Sequence, residues 1–267
     1  MSYRIFNEDC LTGMERLEAN SVDCIIADLP FNLTDCAWDK AVIDLPTLWT
    51  QIKRIIKPYS ATVLFASGKF THKLVASNFD WYKYKWIWVK NAPTMFVHAK
   101  NAPMRKFEEI LVFSDGAINH ASCSKRRMTY NPQGLTESIA DKNGGGRSRY
   151  AKRHAFGNTY GKSPSNVDFF IQEQTNYPND VLYYDVEPST KKLHPTQKPV
   201  PLLEYLIRTY TDKGETVLDV TMGSGSTGVA AINTGRNFIG FEIDRKIFET
   251  AEKRIAATVA EKEQSLF

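Results

Sequence analysis

Two short stretches hold residue types that can do chemistry together. The first is GSGSTG, Gly223 to Gly228, which satisfies the pattern G-x-G-x-x-G. It follows the apolar run ETVLDV and opens a helical pattern, and an acid, Glu242, ends the next apolar run roughly twenty residues on. Glycines allow a tight turn and close approach of backbone to a ligand, and an acid at the end of the second strand can accept both hydroxyls of a ribose. A nicotinamide dinucleotide and S-adenosylmethionine both carry such a ribose. Asp219, four residues before Gly223, would repel a pyrophosphate but suits a cationic ammonium or sulfonium group.

The second stretch is DLPF, residues 28–31, directly after the apolar run DCIIA. Ligands of open α/β sheets bind at the carboxyl ends of strands. Pro30 fixes its φ and has no N–H, which stiffens the turn and leaves the Leu29 carbonyl free to accept. Asp28 is an acceptor and Phe31 a flat apolar face. Together they suit a planar ring bearing an exocyclic amine. The amine would donate to the Asp28 carboxylate and the Leu29 carbonyl while the ring stacks on Phe31. Its lone pair is delocalised into the ring, and two fixed acceptors favour a more tetrahedral nitrogen able to attack a methyl group in line. Taken alone, D-x-P-F also reads as a tight turn with a partly buried Phe.

These stretches need elements to hold them. YRIF, DCIIAD, ATVLFAS, KYKWIWVKN and FEEILVFSDG read as strands, as do ETVLDV and NFIGFEID nearer the C-terminus. In PTLWTQIKRIIKP, Leu48, Ile52, Ile55 and Ile56 share one helical face between two prolines. STGVAAINTG reads as a helix stopped by Gly235, and DRKIFETAEKRIAATVAEK as another. Such alternation predicts an α/β fold with a doubly wound, mostly parallel sheet. The chain has 267 residues, 42% of them apolar, enough for one α/β domain with an insertion or for two small domains.

Residues 121–162 break the alternation, with NPQG, NGGG and FGNTYGK and little periodic apolar content. Nine cations (Lys125, Arg126, Arg127, Lys142, Arg147, Arg149, Lys152, Arg153, Lys162) face two acids, Glu137 and Asp141, a local excess of +7 on a chain of +4. That suits a polyanion, although a solvated loop would have the same composition. The four cysteines, Cys10, Cys24, Cys36 and Cys123, have no CxxC spacing and read as reduced intracellular thiols, and no metal-ligand spacing appears. No apolar run reaches membrane-spanning length, and the N-terminus has no signal-peptide pattern. Trp81, Trp86 and Trp88 read as core or strand-face residues. Trp38 and Asp39, in the loop after DLPF, read equally well as packing or as a cover over a bound base.

At this point the chain resembles the β-class amino-DNA methyltransferases, specifically the phage- and restriction-type adenine-N6 enzymes. The order is theirs: catalytic tetrapeptide, central insert, glycine loop VLDVTMGSGSTG. NEDCLTGMERL, SVDCIIADLPF, WIWVKN, FEEILVF, YNPQ and HPTQKPVPLLEYLI also resemble family segments in the expected order. The resemblance implies a seven-stranded Rossmann-like sheet in permuted order, with residues 1–120 as the catalytic half, 121–185 as the target-recognition insert and 186–267 as the cofactor half. It implies S-adenosyl-L-methionine as cofactor, double-stranded DNA as substrate and a flipped adenine as target. Asp28, Leu29, Pro30 and Phe31 would be catalytic. Asp219, Gly223, Gly225, Ser226 and Thr227 would shape the methionine pocket, Glu242 would take the ribose, Asp9 and the Cys10 backbone the adenine, and Lys198 the methionine carboxylate. Lys125, Arg126, Arg127, Arg147, Arg149, Lys152 and Arg153 would meet DNA. A cytoplasmic monomer or homodimer is implied, in a bacterium or a phage-infected host cell, with a restriction endonuclease as a possible separate partner. The chain departs from the family in having Leu29 for Pro, Phe31 for Tyr, and Thr221-Met222 ahead of the glycine loop. Cytosine-N4 methylation is the near rival, weighed against by Asp28, since Ser is commoner at that place in cytosine enzymes. A nicotinamide oxidoreductase would leave DLPF and the basic insert unexplained, and an inactive DNA-binding protein has only Leu29 in its favour.

Overall fold

A computed structural model of the chain describes residues 2–30, 43–118, 124–137, 174–186 and 197–264. They form two units: residues 1–131 with 179–267, and residues 132–178. The larger unit opens with β1 (Tyr3–Phe6), α1 (Cys10–Glu15), β2 (Val22–Ala27), α2 (Leu45–Ile55), β3 (Ile56–Ala66), α3 (Lys69–Ser77), β4 (Tyr82–Thr94) and β5 (Arg105–Phe113). In the smaller unit β6 (Thr136–Glu137) pairs antiparallel with β7 (Gln174–Thr175). The larger unit resumes with β8 (Val181–Tyr183), α4 (Val200–Tyr210), β9 (Thr216–Asp219), α5 (Ser226–Thr234), β10 (Asn237–Phe241) and α6 (Arg245–Gln264).

The sheet runs β1-β10-β9-β2-β3-β5-β4-β8. All its pairs are parallel except those of β5 with β3 and β4. It is doubly wound and mostly parallel, as the sequence predicts, with eight strands rather than the seven expected. The additional strand is β8, three residues at one edge, too short to leave a periodic signal.

All six residues of β2 are buried, because helices cover both faces. Cys24 and Ile26 join a core with Leu202 and Leu206 of α4, Ala230 of α5 and Ile255 of α6. Ile25 and Ala27 face the other way, into a core with Met14 of α1, Leu48 and Ile52 of α2 and Leu74 of α3. This alternation is the two-residue period of a strand. Trp86 and Trp88 belong to the first core, and Trp81 packs against the second.

The helical assignment of Ile56 is corrected by the structure. α2 ends at Ile55, and Ile56 begins β3 opposite Val22. Pro58 therefore lies within a strand, at an irregularity where Ile56 pairs with Val22 and Ala61 with Cys24. Tyr59 takes φ 65° there, and its N–H, lost to the ladder, donates to Asp115 Oδ1 at 2.7 Å.

Strand order fixes where a ligand can sit. β2 continues outward to β3 and β9 continues the other way to β10, so the sheet reverses between β2 and β9. The crevice beyond the carboxyl ends of these two strands is the switch point of an open α/β sheet. Asp28 follows one strand directly and Asp219 ends the other.

Candidate active site and cofactor cleft

Asp28 is held by an ionic network. Its Oδ2 accepts from Lys198 Nζ at 2.6 Å, and the same ammonium stands 3.3 Å from Glu108 Oε2. Glu108 Oε1 accepts from Lys90 Nζ at 2.5 Å. Lys198 Nζ also lies 5.0 Å from the centre of the Phe65 ring, and Lys90 Nζ 5.4 Å from that of Trp88. Two acids and two cations thus balance where an unpaired charge would cost several kcal/mol. Burial pushes the Asp28 carboxyl above its ordinary range, against the pull of Lys198 and with a push from Glu108. Burial also pushes Glu108 up, but Lys198 and Lys90 outweigh it and hold that carboxyl below its usual range. Lys198 would lose its proton more readily on burial alone, yet Asp28 and Glu108 raise it above the ordinary lysine value.

The second carboxylate oxygen of Asp28, Oδ1, is buried and accepts no hydrogen bond among the described residues. It is an acceptor left without a donor among the described residues, and a bound amine could supply one. The Asp28 backbone carbonyl accepts from Thr221 Oγ1 at 3.1 Å, which ties the turn after β2 to the loop beyond β9. Thr221, one of the departures in sequence, thus joins the two halves of the site. The side chain of Leu29 is buried, 2% exposed, and is fixed by packing.

The glycine loop lies across the crevice. Gly223 and Gly225 have φ of 52° and 79°, left-handed values that disfavour any side chain. A Cβ on Gly223 would meet nothing within 4 Å, so the space over the loop is open to a ligand, whereas one on Gly225 would press on Ala251 of α6. Asp219 accepts from Thr227 Oγ1 at 2.6 Å and from Thr221 N at 3.0 Å. Burial nevertheless raises its carboxyl to about 7, opposed by those two hydrogen bonds. A cation beside it would relieve that cost. Glu242 accepts from Gly223 N at 3.0 Å and from Asp244 N at 2.8 Å, so both oxygens are oriented by backbone, each with a lone pair left for a ribose hydroxyl. Asp219 therefore suits a cation and Glu242 the hydroxyls of a ribose.

Other predicted residues fall elsewhere. Asp9 caps α1, its Oδ1 accepting from Leu11 N at 2.9 Å and Thr12 N at 3.2 Å. Cys10 is buried at the start of that helix, and burial with the nearby Asp9 raises its thiol to about 12. Ser226 Oγ accepts from Arg254 Nη1 at 2.8 Å. Lys198, expected at the methionine carboxylate, has Asp28 and Glu108 as its partners. Lys125, Arg126 and Arg127 are exposed and belong to the larger unit. Phe31, Trp38, Asp39, Arg147, Arg149, Lys152 and Arg153 lie outside the described residues. Sequence reasoning missed Glu108 and Lys90. The available signal was a charge of each sign set in the apolar runs FEEILVF and WIWVKN, since a charge on a buried strand needs a partner.

Residues 22–253 match the N6/N4 methyltransferase family, described as DNA methylase. The chain belongs to this family. DNA methylases of the family draw their methyl group from S-adenosylmethionine, the cofactor the cleft accommodates. Among curated relatives, the chain is 25% identical to the type II methyltransferase M.HpaI of Haemophilus parainfluenzae, over 96% of this chain and 74% of that protein. It is 27% identical to the DNA adenine methyltransferase YhdJ of Escherichia coli K12, over 94% and 82% of the two chains. Among solved structures, the M1.HpyAVI–SAM complex superposes with a TM-score of 0.58 at 23% identity, covering 94% of this chain and 99% of that one. The cytosine-N4-specific PvuII DNA methyltransferase gives a TM-score of 0.64 at 13% identity, covering 97% and 92%, a likeness of fold.

Proposed function

We propose that this DNA methylase transfers its methyl group to the N6 amine of an adenine flipped out of duplex DNA. The observation that carries the reading is the state of Asp28: Oδ2 is fixed by Lys198, while Oδ1 is buried without a donor among the described residues. An exocyclic amine donating to Oδ1 would complete it. The duplex hides that amine, so the base must leave the stack to reach the crevice. The family relation to an enzyme named as an adenine methyltransferase supports adenine over cytosine, as does an acid at the first position of DLPF.

The roles follow from the contacts. S-adenosylmethionine supplies an electrophilic methyl on a sulfonium. Asp219 would face its ammonium, Glu242 its ribose, and Gly223 would let the backbone approach it. Asp28 would hold the amine and draw its lone pair out of conjugation, and Lys198 and Glu108 would hold Asp28. Bound there, the sulfonium would supply its methyl group to the amine nitrogen, whose proton would then pass to solvent. This is catalysis by position and preorganised charge, with no covalent enzyme intermediate.

Asp28→Ala should lower the rate of tritiated-methyl transfer to duplex DNA by about a hundredfold or more. Circular dichroism, cofactor affinity and DNA affinity should stay near wild type. A variant that transfers at the wild-type rate would remove Asp28 from the mechanism.

A further inference from the structure

Beyond the crevice, β4 and β5 continue as an arm. Ala66, the last residue of β3, pairs with Glu109, and β5 begins four residues earlier at Arg105, about 13 Å further along. Because β5 is antiparallel to β3, that extension projects past the carboxyl edge where Asp28 sits. The base of the arm is anchored. Glu108 and Lys90 belong to the network around Asp28, and β8 pairs with β4 over Ile87 to Val89. Towards the tip this thins to a bond from Val186 N to Asn91 Oδ1 and the pairing of Thr94 with Arg105. Every residue from Asn91 to Met104 is exposed. Phe96 is 80% exposed and Val97 89%, flanked by Met95, which takes φ 71°, a costly value for a residue with a side chain.

The surroundings of this apolar tip say what it meets. Between Asn91 and Phe107 there is no acid, but Lys100, Arg105 and Lys106 are present. The two acids that follow are already paired, Glu108 with Lys90 and Lys198, Glu109 with Lys85. Lys69 and Arg105 also line a cleft of about 420 Å³ at the foot of the arm, together with His72, Phe107 and Glu109, the last paired with Lys85. An apolar point on a cationic arm, at the edge where the substrate base enters, matches a polyanion with an apolar interior. A second copy of the chain would set two like-charged arms against each other, which disfavours tip-to-tip association.

We infer that the β4–β5 arm is a DNA wedge: Phe96 and Val97 enter the base stack beside the target and occupy the space that the flipped base vacates, while Lys100, Arg105 and Lys106 hold the flanking phosphates. Apolar side chains inserted between base steps are a known way to offset unstacking. This role rests on the proposed transfer to a flipped base and adds to it the element that keeps the base out.

The test uses a duplex carrying the methylation site mapped by sequencing DNA from an expressing host. A second duplex has a mismatch opposite the target base, where flipping is already easy. The variant Phe96→Ala/Val97→Ala removes only exposed side chains. The expected result is a fall of about tenfold or more in kcat/KM on the matched duplex, a rate near wild type on the mismatched one, and unchanged cofactor affinity. Equal activity of wild type and variant on the matched duplex overturns the wedge, as does an equal loss on both duplexes. So does a concentration-dependent dimer of the free wild-type protein that the variant abolishes, since the tip would then contact another copy. A wild-type protein that methylates neither duplex refutes the proposed function itself, and the wedge with it.

Discussion

The proposed role of Asp28 rests on what its two oxygens do. Lys198 takes one and fixes the carboxylate, while the other accepts no hydrogen bond among the described residues. Burial already raises the Asp28 carboxyl, and Lys198 opposes that rise. The sign of a test follows. Transfer by this route needs Asp28 as a carboxylate, so it fails as pH falls through the raised pKa. Lys198→Gln removes the opposing cation and raises that pKa further, so the acid limb of the kcat–pH profile should move to higher pH. An unmoved limb would mean that Lys198 does not govern Asp28. At this scale the sequence is partly legible. Asp28 and the glycine loop announce themselves because their chemistry lies within a few consecutive residues. Glu108 and Lys90 do not, because their pairing depends on strand order. The bond from Thr221 to the Asp28 carbonyl joins residues 193 apart and leaves no local trace.

Among the elements, β9, α5 and β10 form the rigid frame of the cleft. A Cβ on Gly228 would come within 2.5 Å of Ile255 Cδ1 and 2.8 Å of Phe238 Cε1. Helix α5 therefore lies close against β10 and α6 because this position has no side chain. Gly228→Ala should destabilise the fold by about 1–3 kcal/mol in urea unfolding, with an unchanged m-value. A neutral substitution would mean that the packing relaxes freely. Strand–helix alternation is readable here because runs such as NFIGF are buried on both faces and so apolar throughout. Ile56 reads as helical in sequence because α2 passes into β3 without a connecting residue, and a β-branched apolar residue suits either element. The six-residue α1 and three-residue β8 are too short to show a period, and tertiary pairing decides them.

For the molecule as a whole the governing quantity is charge. A chain of net +4 that places exposed Lys125, Arg126 and Arg127 together can neutralise phosphate and release counterions. Replacing all three with Gln should weaken duplex binding and lower the slope of log K against log salt by about 2–3, close to 0.9 for each phosphate that is no longer neutralised. An unchanged slope in a salt titration would exclude these three from the DNA surface. No helix among the described residues is long and apolar enough to cross a membrane. Charge and family together lead to DNA, and the proposed transfer to one atom of one base is open to a direct test. The direct test is nucleoside analysis by mass spectrometry of duplex DNA incubated with the protein and isotopically labelled S-adenosylmethionine. Transfer to the adenine amine predicts labelled N6-methyladenine, absent when Asp28→Ala is used. Labelled N4-methylcytosine in its place, or no labelled nucleoside at all, would contradict it.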